Sequence, residues 1–89
     1  HRARQLVAHH EHRAREMWDV IRARPASAFE VAQQVFRWVF EEGGNRFHAG
    51  AAVMETLAHL EWMRSREQAV AEEQNGIVRF RGLDRPSQA

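Results

Sequence analysis

The stretch AVAEEQNGIVRFR, residues 69–81, carries the feature that most restricts the fold, the dipeptide Asn75-Gly76. A two-residue type I′ hairpin loop needs positive φ at both central positions, and Asn-Gly adopts that conformation at least cost. With the turn at 75–76, Gln74 pairs with Ile77, Glu73 with Val78, Glu72 with Arg79 and Ala71 with Phe80. One face of the hairpin then carries Ala71, Val78 and Phe80, and the other carries Glu72, Arg79 and Arg81. Glu72 and Arg79 are placed as a favourable cross-strand pair.

Everything before the hairpin repeats at helical spacing. From Arg2 to Arg24, Leu6, His10, Ala14 (or Arg13), Met17 and Ile21 recur every three or four residues, with Val7 and Trp18 alongside. Arg22 and Arg24 suit the negative end of the helix dipole, and Pro25 stops the helix because its predecessor avoids the α region. Ser27 and Glu30 then have capping-box spacing, so each side chain satisfies a backbone N–H at a second helix start. That helix runs through Val31, Val35, Phe36, Val39 and Phe40 to the break at Gly43 and Gly44. A third helix spans Arg46 to Arg66, with an apolar stripe of Phe47, Val53, Met54, Leu57, Leu60 and Met63. His48, Glu55, His59, Trp62 and Arg66 are placed on or near its other side.

Three helices followed by a two-stranded β-hairpin wing is the order of a winged helix-turn-helix domain, a mainly α fold. By element order alone the rival is a three-helix bundle with an appended hairpin. The domain is expected over residues 1–82, with 83–89 as a disordered tail. The 89 residues suffice for one modest core, since a chain of this size buries about 60–65% of its unfolded surface. Trp18, Trp38, Trp62 and five phenylalanines can fill it.

Charge and composition narrow the function. No apolar run approaches the roughly 18 residues of a membrane span, and no secretory signal pattern is present. The absence of cysteine excludes disulfides and thiolate zinc fingers and fits the cytoplasm. All thirteen basic residues are arginine, against twelve acidic ones, for a net charge of +1. Arginine without lysine, among many Ala, Val and Gly, fits GC-rich bacterial coding. The balance is far from the basic excess of a dedicated nucleic-acid binder.

Two constellations remain. In AHHEHRARE, residues 8–16, His9, His12 and Glu16 fall three and four apart on one helix face, a spacing at which three ligands can meet one ion. His10 points toward the apolar stripe instead. Arg13 and Arg15 would set positive charge beside that ion, and no H-E-x-x-H pattern is present. The bland reading is a solvated helix face, and it is preferred to a metal site. No nucleophile with its base and no phosphate loop is apparent, so this chain by itself is not expected to be an enzyme. For nucleic acid, Arg64 and Arg66 at the end of the third helix and Arg79 and Arg81 on the wing are the candidates. Glu55 and Glu61 on the same helix would repel phosphate.

Three stretches together resemble a known module. MWDVIRARPASAFEVAQQVF, METLAHLEWM and the hairpin after them look like the C-terminal winged-helix domain of metallo-β-lactamase-fold hydrolases, a group that includes hydroxyacylglutathione-hydrolase-like proteins and an endoribonuclease. Pro25, Ser27, Glu30 and Phe36 fit that module's second helix, and Leu57, Ala58, His59, Leu60 and Met63 fit its third. The chain departs from it at His9-His10 and Arg13-Ala14, where the module has His-Arg and Arg-Glu. It departs again at Glu67, where the module has glycine, so a different cap is expected there.

The resemblance implies an accessory domain, inert alone, that packs on an N-terminal catalytic domain and shapes substrate access. The catalytic domain would carry His-x-His-x-Asp-His and zinc, and no cofactor is expected in this chain. The first helix would dock on it through His9, His10 and Arg13. The alternative is a free-standing winged-helix DNA-binding regulator, and a third reading is a small metal-binding helical domain. Weak nucleic-acid contact is compatible with the module, and no membrane contact is expected.

Overall fold

The computed structural model describes residues 2–41 and 44–84, with side chains from Glu11 onward. Four helices precede a two-stranded antiparallel hairpin: α1 (Arg2–Ala23), α2 (Ala28–Val35), α3 (Arg37–Phe40), α4 (Arg46–Ser65), β1 (Ala69–Gln74) and β2 (Ile77–Gly82). The arrangement is the expected helical domain with a hairpin wing, except that the second helix is split.

The caps form as their side chains dictate. Ser27 Oγ accepts from the Glu30 amide at 3.1 Å, and the Ser27 amide donates to Glu30 Oε1 at 2.8 Å. Asn45 Oδ1 accepts from the Phe47 amide at 2.7 Å and starts α4. Gly44 is needed in the approach to α4, because a Cβ there would run into the Val39 carbonyl oxygen.

The split at Phe36 (φ −111°, ψ 44°) has no proline or glycine behind it. Phe36 and Val39 both lie in the core, and the Val39 amide donates to the Phe36 carbonyl at 2.9 Å. Tertiary packing sets this turn, overriding a local pattern that reads as one continuous helix.

Met17 and Ile21 of α1, Val31 and Ala32 of α2, Ala52, Leu60 and Met63 of α4, Ala69 of β1 and Phe80 of β2 form the core. On α4 the buried face therefore runs through Ala52, Thr56, Leu60 and Met63, with Ala49 and Val53 half-buried. This corrects the expected stripe. Phe47, Met54 and Leu57 point to solvent, because α4 has apolar residues on both faces and only one can meet the core. The buried Thr56 hydroxyl donates to the Ala52 carbonyl at 2.8 Å, so it enters the core satisfied.

The hairpin has the expected register, Glu72 opposite Arg79 and Ala71 opposite Phe80, with positive φ at Asn75 and Gly76. Only its base is buried. Ala69 and Phe80 enter the core, while Ala71 and Val78 are exposed where the wing projects. The ion pairs also differ from the expected Glu72–Arg79. Glu72 meets Arg81 at 3.9 Å, and Arg79 reaches Glu30 of α2 at 3.7 Å.

The end of α4 corrects another expectation. Gln68 N–H donates to the Met63 carbonyl at 2.9 Å and Glu67 N–H to the Arg64 carbonyl at 3.0 Å. These two bonds make a Schellman cap, the geometry for which glycine is preferred, and Glu67 occupies its left-handed position at φ 61°.

Four further contacts tie the wing and the residues flanking it to the rest of the domain. Ala26, between α1 and α2, forms an isolated antiparallel bridge with Phe80 of β2. The Trp18 indole donates to the Gln68 carbonyl at 3.3 Å. Leu83 N–H donates to the same carbonyl at 3.0 Å, and Asp84 pairs with Arg22 at 3.1 Å. Leu83 and Asp84, expected in the tail, are thus bonded to the domain, and residues 85–89 lie outside the described ones.

Candidate functional site

The polar surface of α1 is a ladder of pairs within one helix. His12 Nε2 lies 3.7 Å from Glu16 Oε1, Arg13 Nε lies 3.9 Å from the same oxygen, and Arg15 lies 3.8 Å from Asp19. Glu16 Oε1 therefore lies near both His12 and Arg13, and the Arg13 guanidinium sets positive charge beside it. The side chains of His9 and His10 lie outside the described residues. Among the described residues no three His, Asp or Glu side chains come together as metal ligands.

Arg13, one of the residues placed on the docking face, turns into the domain. Its guanidinium carbon stands 4.4 Å from the centroid of the Phe36 ring, and 17% of its side chain is exposed. A guanidinium over an aromatic face is attracted by the ring quadrupole, more so when partly desolvated. Its buried Nε has no hydrogen-bond partner among the described residues.

The four arginines considered for nucleic acid divide between α4 and the wing. Arg64 binds Glu61 through Nη2 at 2.7 Å and Nε at 2.8 Å, Arg79 pairs with Glu30, and Arg81 with Glu72. Arg66 stacks over Trp62 at 4.7 Å. Three of the four face a carboxylate of their own chain, so a phosphate would have to displace it. Such exposed pairs are individually weak, about 0–1 kcal/mol, but they cancel the local positive field on which phosphate binding depends.

A shallow, open groove runs between the C-terminal end of α4 and β1, lined by Glu61, Arg64, Glu67, Ala69, Val70, Ala71 and Leu83. Its charged lining is the Glu61–Arg64 pair, bonded to itself, together with Glu67. His59, half-buried on α4, has Nδ1 2.9 Å from the Glu55 carbonyl oxygen and bonds there when that nitrogen carries the proton.

Among the described residues the ionisable group with a clear perturbation is Glu30. The Ser27 amide holds its carboxyl below the usual carboxylate range, with Arg79 and Arg24 adding to the effect and partial burial opposing it. Glu30 was legible in the sequence as a cap. Its second role, as the anchor of the wing arginine Arg79, depends on a contact 49 residues away in the chain that local spacing does not signal.

No described element thus assembles a reaction centre. Of the charged side chains weighed as site candidates, Glu16, Arg64, Arg79 and Arg81 each meet an oppositely charged or proton-bearing side chain of the same domain. A family model described as "Metallo-beta-lactamase-like, C-terminal domain" matches residues 14–83, from within α1 through the wing. Neither a curated protein nor a solved structure matches the chain.

Proposed function

Since the chain belongs to the metallo-β-lactamase-like C-terminal domain family, we propose that it is the winged-helix accessory domain of a metal-dependent hydrolase. The family makes it an accessory domain of a metallo-β-lactamase-fold protein, whose N-terminal domain is its partner in the same chain. In the proposed role it packs on that domain through α1 and shapes access to a zinc centre held there. The catalytic metal supplies the hydrolytic chemistry from the N-terminal side. The His-x-His-x-Asp-His pattern is absent from this chain, so no catalytic step is assigned to its residues.

The observation that carries this reading is the coincidence of the matched stretch, residues 14–83, with the packed unit from α1 to the wing. The Ala26–Phe80 bridge supports the winged-helix assignment, because it joins the loop after the first helix to the wing. The internal pairing of Arg64, Arg79 and Arg81 favours domain packing over a DNA-binding regulator.

The test uses the whole protein. The reading frame upstream of His1 is expected to encode His-x-His-x-Asp-His. Deleting this domain is expected to leave bound zinc in place while changing KM or kcat for thioester or phosphodiester probe substrates. A start codon directly before His1, or tight duplex binding by the chain that weakens steeply with salt, would overturn the proposal in favour of the regulator.

A further inference from the structure

The outer face of α4 carries an apolar stripe that the domain's own core leaves bare. Phe47 is 80% exposed, Met54 65%, Trp62 51% and Leu57 36%. Gly50, Ala51 and Ala58 fill the positions between them and are exposed as well. The stripe follows i, i+3, i+4, i+7 spacing for nearly the length of the helix, the pattern of a helix face that packs on another helix. A winged-helix face built to read a nucleic-acid groove would present basic and hydrogen-bonding side chains here instead.

We propose that this face pairs with the same face of a second copy of the protein, the two α4 helices running antiparallel. The order of residues along the stripe argues for it. A two-fold axis beside Met54 sets Phe47 of one copy against Trp62 of the other and Ala51 against Ala58, so aromatic rings lie at both ends and small residues at the close approach. An isologous interface requires this kind of self-complementary order. Glu61, which closes the stripe, already has Arg64 as its partner and brings no unpaired charge to the interface.

Area and direction point the same way. Covering the exposed parts of Phe47 and Trp62, whose rings are worth roughly 150–250 Å² each when fully buried, together with those of Met54, Leu57 and the small residues between them, brings each copy to the order of 500 Å². Two copies then reach the roughly 1,000 Å² in total that a specific interface has to clear. The face also points away from α1. Met17 and Ile21 of α1 share the core with Leu60 and Met63 on the inner side of α4, so a catalytic domain held along α1 leaves the outer side open.

The experiment measures the mass of the whole protein by sedimentation velocity across a range of concentrations, for wild type and Met54→Glu. The wild type is expected to be a dimer, and Met54→Glu is expected to weaken it about tenfold or more. Met54 contributes nothing to the core, so the variant should keep its helical circular dichroism. Should it nevertheless fail to fold, a mixture of Phe47→Cys and Trp62→Cys proteins decides the matter. These 89 residues contain no cysteine, and with any cysteine of the N-terminal domain replaced by serine the mixture should form a 47–62 interchain disulfide that neither variant forms alone. A wild-type protein that is monomeric throughout, a dimer indifferent to Met54→Glu, or a mixture that fails to cross-link each overturns the proposal.

Discussion

Ala26 and Phe80 hold each other by both backbone hydrogen bonds: the Ala26 amide donates to the Phe80 carbonyl at 3.0 Å, and the Phe80 amide donates back at 2.8 Å. The two residues are far apart in the chain, yet this bridge ties the α1–α2 connection to the wing. Phe80 is also 1% exposed, so its ring fills the core at the same point. Phe80→Ala is expected to cost about 3–5 kcal/mol, the range for emptying a buried phenylalanine site. Against the roughly 5–15 kcal/mol of a small domain, urea denaturation should show the midpoint fall sharply or the cooperative transition vanish.

Gly82 depends on a close approach that no turn explains. A Cβ at this position would meet Arg22 at 2.9 Å from Cγ, 3.1 Å from the backbone nitrogen and 3.2 Å from Cα. The arginine side chain can shift but its backbone cannot. Gly82→Ala is therefore expected to destabilise by about 1–3 kcal/mol, the usual cost of overpacking, and thermal melting measures it.

Glu67 offers the opposite case. A non-glycine residue in the left-handed region carries roughly 1–2 kcal/mol of strain, and glycine there loses part of that gain to its greater unfolded-state entropy. Glu67→Gly should raise stability by about 1 kcal/mol, or a Tm increase of roughly 4–8 °C for a domain of this size. An unchanged or lowered Tm would show that the Glu67 side chain makes a compensating contact.

The capping box predicts both a stability and a pH effect. Ser27→Ala should cost about 1 kcal/mol, since it strands an N–H at the start of α2. Glu30, held below the usual carboxylate range by the Ser27 amide and by Arg79, is charged in the folded state to lower pH than in the unfolded chain. Its contribution is complete above the ordinary glutamate value of about 4.3 and is lost as the pH falls through the folded value. Comparing Tm against pH for wild type and Glu30→Gln should show the two curves converging in acid, with the wild type ahead only above that range.

Local signals in this chain were strong at its punctuation. Asn75-Gly76 set the hairpin register, Ser27 with Glu30 set the α2 start, and Pro25 with Gly44 bounded the second helical region, because each acts through backbone geometry within a few residues. The second helix was less legible. Val31 to Phe40 keeps helical spacing throughout, and the turn at Phe36 comes from burying Phe36 and Val39 together. On α4 two apolar faces share one stretch, so Phe47, Met54 and Leu57 could not be told from Leu60 and Met63 by periodicity.

The candidate site divides the same way. That His12 and Glu16 share a helix face follows from spacing alone, and the structure sets them 3.7 Å apart. That Arg13 stacks on Phe36, that Arg79 pairs with Glu30 rather than Glu72, and that Gly82 lies against Arg22 are long-range facts. The sequence by itself determined the helices-then-hairpin order, the caps and the register, since these depend on φ preferences and neighbouring N–H groups. Only the tertiary structure decided which apolar face of α4 became core and which arginines were neutralised, because both depend on which distant side chain arrives at the contact.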